Sequence, residues 1–205
     1  MKFFSTVGNL MRHDRRFRFG FSVIVLFVIL SIVSLFIPHD SRSWNVYPRD
    51  LPMSFQNLLG TNSMGQDIFW KASVAIRNSL ILGLVAAAIS RVIAIFIGLI
   101  AGYRGGMVDR ILMTINDSFV IIPIFPLLIL ISSVLGAQMN VTVLGVMLGL
   151  FGWQWDARLF RSMILSLRER EFTHTAVLSG MKARRIVFKE HLPFVIPLIM
   201  AASLN

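Results

Sequence analysis

The stretch LGLVAAAISRVIAIFIGLIAG, from Leu82 to Gly102, decides the class of fold. Arg91 is its one charged residue, and about 20 predominantly apolar residues are enough for a helix to cross the hydrocarbon core of a bilayer. The whole chain agrees with this segment, because 56% of its 205 residues are hydrophobic and 15% are charged, far from the composition of a soluble domain. The sequence therefore predicts an all-α integral membrane protein, a polytopic helical bundle.

Apolar runs of similar length recur along the chain and predict four complete spans and a truncated fifth. They cover residues 19–37, 74–101, 111–135, 141–165 and 192–205. The fifth run is too short to cross a bilayer, so we expect the complete protein to have at least one more span. The predicted domains are a tail at 1–18, a first transmembrane helix at 19–37, a loop at 38–73 and a membrane core at 74–205.

The distribution of Lys and Arg predicts the orientation of the chain, because loops rich in these residues remain in the cytoplasm. The tail has five basic residues and one acidic residue, whereas the loop at 38–73 has three of each. We therefore predict a cytoplasmic N-terminus, an extracytoplasmic loop at 38–73, and cytoplasmic segments at 102–110 and 156–191. Nucleic-acid binding, which the net charge of +10 suggests, is excluded because the basic residues lie between apolar runs.

The segment HTAVLSGMKARRIVFKEHLP, from His174 to Pro193, is basic, helix-prone and on the predicted cytoplasmic side. Helix-forming residues precede and follow Gly180, and glycine interrupts helices. The pattern predicts a helix–glycine–helix hairpin at about residues 166–191. Charge alone leaves two interpretations open: a hairpin that binds a specific partner, and an ordinary positive loop that rests on the anionic headgroups of membrane lipid.

Four segments, in order from Leu58 onward, resemble ABC importer permeases of the oligopeptide/dipeptide (nickel) transport family. They are LLGTNSMGQDIFWKASVAIRNSLILGL, AGYRGGMVDRILMTINDSFVIIP, WDARLFRSMILSLREREF and REREFTHTAVLSGMKARRIVFKEHLP. The last resembles the family's cytoplasmic signature, in which Glu-Ala-Ala is followed after three residues by Gly and later by Leu-Pro. Ala176, Gly180 and Leu192-Pro193 match this signature, whereas His174 and Thr175 replace the Glu and the first Ala. His191 stands where an aliphatic residue usually precedes Leu-Pro.

The resemblance implies an ABC type I importer permease of six spans, the C-type member of two unlike permease subunits, in the cytoplasmic membrane of a prokaryote. It implies a second permease subunit, two ATP-binding subunits and an extracytoplasmic solute-binding protein as partners. ATP and Mg²⁺ would be used by the ATP-binding subunits, and no cofactor is expected in this chain. Peptides are the substrates most often imported by such permeases, while nickel and oligosaccharides are alternatives that the sequence leaves open.

The resemblance also assigns roles to particular residues. It identifies the hairpin as the coupling helix, which docks on the ATP-binding subunits, with Phe172, Ala176 and Leu178 as apolar anchors and Arg184 and Arg185 at the rim. The full set of expected coupling residues is Glu171, Phe172, His174, Thr175, Ala176, Leu178, Gly180, Arg184 and Arg185. In the outer loop, the residues implied at the face that receives the solute-binding protein are Gly60, Thr61, Gly65 and Asp67.

Two rival classes of function are disfavoured by the sequence. An ATPase would need a Gly-Lys-Ser/Thr phosphate loop, and the chain has none. An intramembrane enzyme would need catalytic or metal-binding groups within the spans, yet all four histidines lie outside them or at an edge, and the chain has no cysteine. We therefore expect neither catalytic residues nor a metal site. A passive channel or scaffold is disfavoured by the coupling-like hairpin.

Arg91 interrupts the second predicted span where the family usually has an apolar residue. A charge at this depth costs a few kcal/mol, so it should face a water-filled path or a partner, unless its long stem reaches the headgroups. Asp117 lies in the third predicted span, where a bond to a neighbouring backbone group or hydroxyl is the alternative to a place on the translocation path. Because the two spans are antiparallel neighbours, we predict an Arg91–Asp117 contact.

Small residues are spaced four apart at Gly98–Gly102 and at Gly145–Gly149. This spacing allows helices to approach closely. We expect both pairs to pack against other spans of the same chain.

Overall fold

The computed structural model describes Met11, residues 13–40 and residues 42–202, and these residues are mostly helical. The chain divides into two compact units, with the boundary between Leu80 and Ile81. No β-strand occurs among the described residues, where the one extended pairing is an isolated bridge between Thr61 and Asp67.

The first unit contains helix α1 and the long loop. Helix α1, Arg15–Val33, begins where the Asp14 carboxylate accepts hydrogen bonds from the backbone N–H groups of Arg16 and Phe17 (2.8 and 3.2 Å). It is followed by a 3₁₀ turn at Ser34–Phe36. None of the residues of α1 is buried, although its sequence is strongly apolar. Such a helix is stable in lipid, where its apolar surface needs no protein cover.

The second unit consists of helices joined by short connections. Helix α2, Ile68–Arg104, begins in the first unit and continues into the second. The helices that follow are α3 (Gly106–Ile121), α4 (Ile124–Leu135), α5 (Val141–Phe151), α6 (Gln154–Arg168), α7 (Glu171–Leu178), α8 (Ala183–Arg185) and α9 (Leu192–Ala202). A 3₁₀ turn at Gly136–Gln138 follows α4, and a π-helical turn at Ile186–His191 joins α8 to α9.

Two described helices, α1 with its 3₁₀ turn and α2, are long and apolar enough to cross a membrane, and α3 with α4 makes a third if that bent pair is one span. The third and fourth predicted spans are therefore not straight helices. Helices α3 and α4 meet at 74°, with the break at Ile122 and Pro123, because proline lacks the N–H that would continue the helix. Gly152 and Trp153 separate α5 from α6 in the fourth run.

The core of the second unit lies between α2 and α6. The buried side of α6 presents Ala157, Phe160, Ile164 and Leu167. A Cβ atom added at Gly98 would lie 2.7 Å from Cβ of Phe160, so the two helices touch where α2 has no side chain.

The second pair of glycines brings α5 equally close to α2. A Cβ atom at Gly149 would lie 2.7 Å from Cβ of Ile89, and one at Gly145 would lie 3.1 Å from the carbonyl oxygen of Leu82. Both small-residue spacings therefore serve packing within the chain, as predicted.

Candidate functional site: a helical hairpin and a ladder of ion pairs

Helix α7, a turn and α8 form the hairpin that follows α6. Gly180 lies at the turn with a φ of 74°, a left-handed conformation that glycine adopts without steric cost. The backbone N–H of Met181 donates to the carbonyl of Ala176 (3.1 Å) and that of Gly180 to the carbonyl of Val177 (2.9 Å), which satisfies carbonyls at the end of α7. Four residues separate the end of α7 from α8, which begins at Ala183.

The expected coupling residues fall into an exposed group and a packed group. Leu178 is 88% exposed, and the exposed group also contains Glu171, His174, Thr175, Gly180, Arg184 and Arg185. Ala176 is buried, and Phe172 is half-buried with its ring stacked on Phe194 (5.5 Å between centroids). Both were expected to be apolar anchors for a partner, and that role stays a prediction; in this structure the ring of Phe172 packs on α9, and Ala176 has little surface left for a partner.

Val177 is a hairpin residue that the sequence interpretation missed. It lies beside Leu178 and is also exposed, so the tip of α7 presents two adjacent aliphatic side chains to its surroundings. The signal was present in the sequence as an unbroken apolar pair immediately before the glycine turn.

A buried contact between Thr173 and His191 holds the base of the hairpin. The Thr173 hydroxyl donates to the carbonyl of Leu167 (2.8 Å) and lies 2.9 Å from Nε2 of His191, which has no exposed surface. Because the hydroxyl proton is already used, Nε2 must be the donor in this contact, and Nδ1 is unprotonated. Nδ1 has no hydrogen-bond partner among the described residues.

Aromatic rings surround His191 at this junction. Its ring centroid lies 5.7 Å from that of Tyr103 at the end of α2, and 6.2 Å from that of Phe172 on α7. Burial lowers the pKa of His191, and the nearby charge of Glu190 opposes this effect. The imidazole is therefore neutral near pH 7, and it connects α7, the π-helical turn and α2 without an ionic contact.

Three ion pairs, which we call the ion-pair ladder, connect α6 to α2 and α3. The pairs are Asp109–Arg161, Asp117–Arg158 and Asp156–Arg91. Arg161 donates to both carboxylate oxygens of Asp109, with Nη2–Oδ2 at 2.6 Å, and Nη2 of Arg158 donates to Oδ1 of Asp117 (2.5 Å). Every pair has one member on α6, so this helix supplies the partner for a charged residue of α2 and for two of α3.

The predicted Arg91–Asp117 contact is wrong. Arg91 pairs with Asp156, and Asp117 pairs with Arg158. The prediction considered only the neighbouring spans α2 and α3, whereas the close approach of α6 to α2 at Gly98 brings a carboxylate of α6 to Arg91. Asp156, Arg158 and Arg161 were therefore missed as partners, although their spacing along one segment was visible in the sequence.

Asn116 holds Arg158 of the Asp117–Arg158 pair in place. It is completely buried, and in the amide orientation that satisfies its neighbours it donates to the carbonyl of Gln154 (3.1 Å) and accepts from Nε of Arg158 (3.1 Å). The Arg158 guanidinium also lies over the ring of Trp155, 5.1 Å from its centroid. These contacts fix the Arg158 side chain in one orientation.

The four expected residues of the outer loop all stabilise the loop itself. The Thr61 hydroxyl donates to the carbonyl of Pro48 (2.7 Å), and the Asp67 carboxylate accepts from the side-chain amide of Asn57 (2.7 Å). Gly60 and Gly65 both have positive φ, and a Cβ atom there would lie 2.4 and 2.5 Å from backbone oxygens. The place of this loop at the face that receives a solute-binding protein stays a prediction. Exposed residues of the loop would have to make that contact.

The family described as "Binding-protein-dependent transport system inner membrane component" matches residues 94–205, which include the hairpin and every residue of the ladder except Arg91. The oligopeptide transport system permease protein OppC of Mycobacterium tuberculosis is 33% identical over 185 residues, which cover 90% of this chain and 64% of that protein.

Two further relatives are named for different substrates. The dipeptide transport system permease protein DppC of Bacillus subtilis is 31% identical over 84% of this chain and 53% of its own length. The nickel transport system permease protein NikC of Escherichia coli is 35% identical over 92% of this chain and 68% of its own length. The chain thus spans between about half and two thirds of the length of these relatives. The family consists of transport permeases rather than enzymes, and this chain belongs to it as a membrane-spanning binding-protein-dependent transport component.

Proposed function

We propose that this chain is a permease subunit of an ATP-driven ABC importer and that it takes up oligopeptides or dipeptides. The observation that supports this function most directly is the hairpin, whose base is fixed by Thr173 and His191 while Val177 and Leu178 at its tip are exposed. A helix held at one end and apolar at the other can dock in a groove of a partner protein. The similarity to an oligopeptide permease and a dipeptide permease favours peptides as the substrate.

The proposal assigns each partner a task. Two cytosolic subunits bind and hydrolyse ATP with Mg²⁺, because this chain has no phosphate-loop motif. A second permease subunit completes the translocation path, and a solute-binding protein delivers the substrate to the outer face. We place the complex in a bacterial cytoplasmic membrane, surrounded by lipid, with the N-terminus of this chain in the cytoplasm.

In this mechanism the hairpin transmits movement and does no chemistry. When ATP binding draws the cytosolic subunits together, the docked tip of α7 moves with them. The Thr173–His191 contact then passes the movement to α2, because the ring of His191 packs on Tyr103 at the end of that helix. The Asp109–Arg161 pair passes it to α3, because this pair joins α6 to α3. The spans then exchange between a state in which the path opens to the cytoplasm and a state in which it opens to the outside.

Nickel is the second candidate substrate. The Escherichia coli nickel permease is 35% identical over 193 residues, a similarity close to that of the peptide permeases. Purification of the solute-binding protein that associates with the complex, followed by mass spectrometry of its bound ligand, would distinguish the two. A bound peptide supports the proposal, and bound nickel or an oligosaccharide contradicts its substrate class.

The coupling role is tested by replacing Gly180 in the assembled complex. Proline fixes φ near −65°, so Gly180→Pro cannot keep the left-handed turn at φ 74°, and we expect substrate-stimulated ATPase activity to be lost while the chain still inserts. Gly180→Asn is the matched control, because asparagine tolerates the left-handed region and should keep most of the activity. Normal stimulation in an assembled Gly180→Pro complex would contradict the assignment of the hairpin.

A further inference from the structure

The end of α2 and the second half of the hairpin form a groove of about 250 Å³ with an apolar lining. The lining includes Phe96 and Ile100 of α2 and Phe188 of the π-helical turn, and these side chains are 56%, 43% and 47% exposed. The charged residues of the lining are Arg104, where α2 ends, and Arg184 of α8. Both arginines are exposed, and neither has an ion-pair partner in the described part of the chain.

Positive charge continues from the groove onto the neighbouring surface. A second depression shares Arg184 and Phe188 with the groove and adds Lys182, Arg185 and Lys189. The three added cations are exposed, and among the described residues none of them forms an ion pair. This surface can therefore attract an anionic ligand to the groove.

The groove lies at the end of a helix that is long and apolar enough to cross a membrane. Helix α2 has no charged residue between Arg91 and Arg104. A basic residue that directly follows an apolar stretch of a span is expected at the lipid headgroups, where its charge stays hydrated. The match to an inner membrane component begins at residue 94 and covers every residue that lines the groove. We therefore expect lipid beside the groove.

A phospholipid has the two chemical parts that the groove can bind. Its acyl chain is apolar and flexible, so it can lie along exposed aromatic and aliphatic side chains. Its phosphate accepts hydrogen bonds from guanidinium groups, and the planar fork of arginine suits this geometry. Basic pockets between transmembrane helices on the cytoplasmic side bind anionic headgroups in this way.

We propose that the groove binds an anionic phospholipid. The acyl chain lies against Phe96, Ile100 and Phe188, and the phosphate binds Arg104 and Arg184. The two halves of the hairpin then have different tasks, since the tip of α7 docks on a partner protein while α8 and the π-helical turn hold a lipid against α2. This site does not depend on which substrate is transported.

Net charge is the reason for an anionic rather than a zwitterionic lipid. Phosphatidylcholine has the same phosphate but adds a quaternary ammonium group, which Lys182, Arg185 and Lys189 would repel. Glu190 is the one acidic residue that follows Glu171 in the sequence, so little negative charge is available nearby to accept that ammonium. Phosphatidylglycerol has a neutral glycerol at the same place and keeps the net negative charge.

The experiment uses the purified complex, with the full-length chain, in detergent. Dioleoyl phosphatidylglycerol is titrated, and its adducts with this subunit are quantified by native mass spectrometry. Dioleoyl phosphatidylcholine has the same acyl chains and measures the effect of the headgroup. Glycerol 3-phosphate measures the effect of a phosphate without an acyl chain. No readout depends on transport, so this site is tested separately from the proposed function.

We expect phosphatidylglycerol to bind at least about fivefold more tightly than phosphatidylcholine and to resist displacement by glycerol 3-phosphate. Arg104→Gln combined with Arg184→Gln should weaken the binding of phosphatidylglycerol by at least about fivefold. The matched control combines Arg110→Gln with Arg170→Gln, which removes two exposed arginines outside the groove and should leave the affinity unchanged.

The apolar half of the site is tested by filling the groove. Ala183 is an exposed residue of the lining, so Ala183→Trp places an indole in the groove with little disturbance of the fold, and the binding of phosphatidylglycerol should fall. Leu178→Trp is the matched control, because Leu178 is an exposed hairpin residue outside the groove and its replacement should leave lipid binding intact.

Three results would overturn this inference. They are equal binding of the two lipids, unchanged affinity in the variant that lacks Arg104 and Arg184, and displacement by glycerol 3-phosphate, which would mean a phosphate site without an acyl chain. A second measurement covers variants that do not assemble. With the photoreactive residue benzoylphenylalanine at position 100, the complex in vesicles of phosphatidylglycerol and phosphatidylcholine should crosslink to phosphatidylglycerol. A crosslink to another subunit would show that protein covers the groove and would also overturn the inference.

Discussion

His191 has no exposed surface, and its ring nitrogen Nε2 bonds to the hydroxyl of Thr173. Because burial lowers its pKa below the ordinary value of 6.5, the unfolded chain binds a proton at a pH where the folded chain does not. Its contribution to stability is therefore complete above that value and is lost as the pH falls through and below about 6.5. Protonation would place a charge among the rings of Tyr103 and Phe172, with no acceptor at Nδ1 among the described residues.

We therefore predict that the thermal stability of the detergent-purified protein falls between pH 7.5 and pH 5.5 and that His191→Gln reduces this fall. Glutamine retains an N–H that can donate to Thr173 but does not titrate. His174→Gln is the matched control, since His174 is an exposed residue of the same hairpin and its replacement should leave the pH dependence intact. An identical pH profile for His191→Gln and wild type would contradict the role of His191.

Arg91 and Asp156 provide the second prediction at the residue scale. Both side chains are largely enclosed, and removing one partner leaves the other charge without its counterion in a poorly hydrated position. A double-mutant cycle with Arg91→Leu and Asp156→Leu should show a coupling energy of about 1 kcal/mol or more in the unfolding of the purified protein. Arg91→Leu combined with Asp117→Asn is the control and should be additive, since those residues belong to different pairs. Additivity in the first cycle would exclude the pair.

At the scale of elements, α2 is the helix on which the second unit is assembled. Helix α6 packs against Gly98 and Gly102 of α2, and α5 packs against α2 through its own Gly145 and Gly149. Close approach of helix backbones gives van der Waals contact along both interfaces, which is the main source of helix association when lipid replaces water. A side chain added at these glycines must push the helices apart.

This packing predicts opposite results for two glycines of α2. Gly98→Ala puts a Cβ atom within 3 Å of Phe160 and of the Ala157 carbonyl, and it should destabilise the protein by about 1–3 kcal/mol. Gly83→Ala is the matched control, because no atom lies within 4 Å of its Cβ position and alanine favours helix, so it should be neutral or slightly stabilising. Chemical unfolding in mixed micelles measures both. Equal stability of the two variants would mean that α2 and α6 are not in contact at Gly98.

At the scale of the whole molecule, the orientation predicted from Lys and Arg can be tested in the cysteine-free chain. Met53→Cys, at a highly exposed position in the outer loop, should react with an impermeant thiol reagent added to spheroplasts. Met107→Cys, exposed at the start of α3, should react only after the membrane is disrupted. The reverse labelling pattern would invert the topology.

The sequence by itself determined the membrane class, the helical architecture, the hairpin with its turn at Gly180, and the family. These features depend on local properties, namely the length of apolar runs, the distribution of charge and the positions of glycine and proline. Family membership could be recognised because four segments keep their order and spacing, which no packing detail alters.

Only the tertiary structure decided which charges meet and which side chains are buried. Arg91 pairs with Asp156 rather than Asp117, Ala176 is buried, and His191 bonds to Thr173 across 18 residues of sequence. Each outcome depends on which face of one helix approaches another, and that is set by backbone contacts such as the one at Gly98. A linear pattern of apolar and charged residues contains the partners but not the rotation and bend of the helices that bring them together.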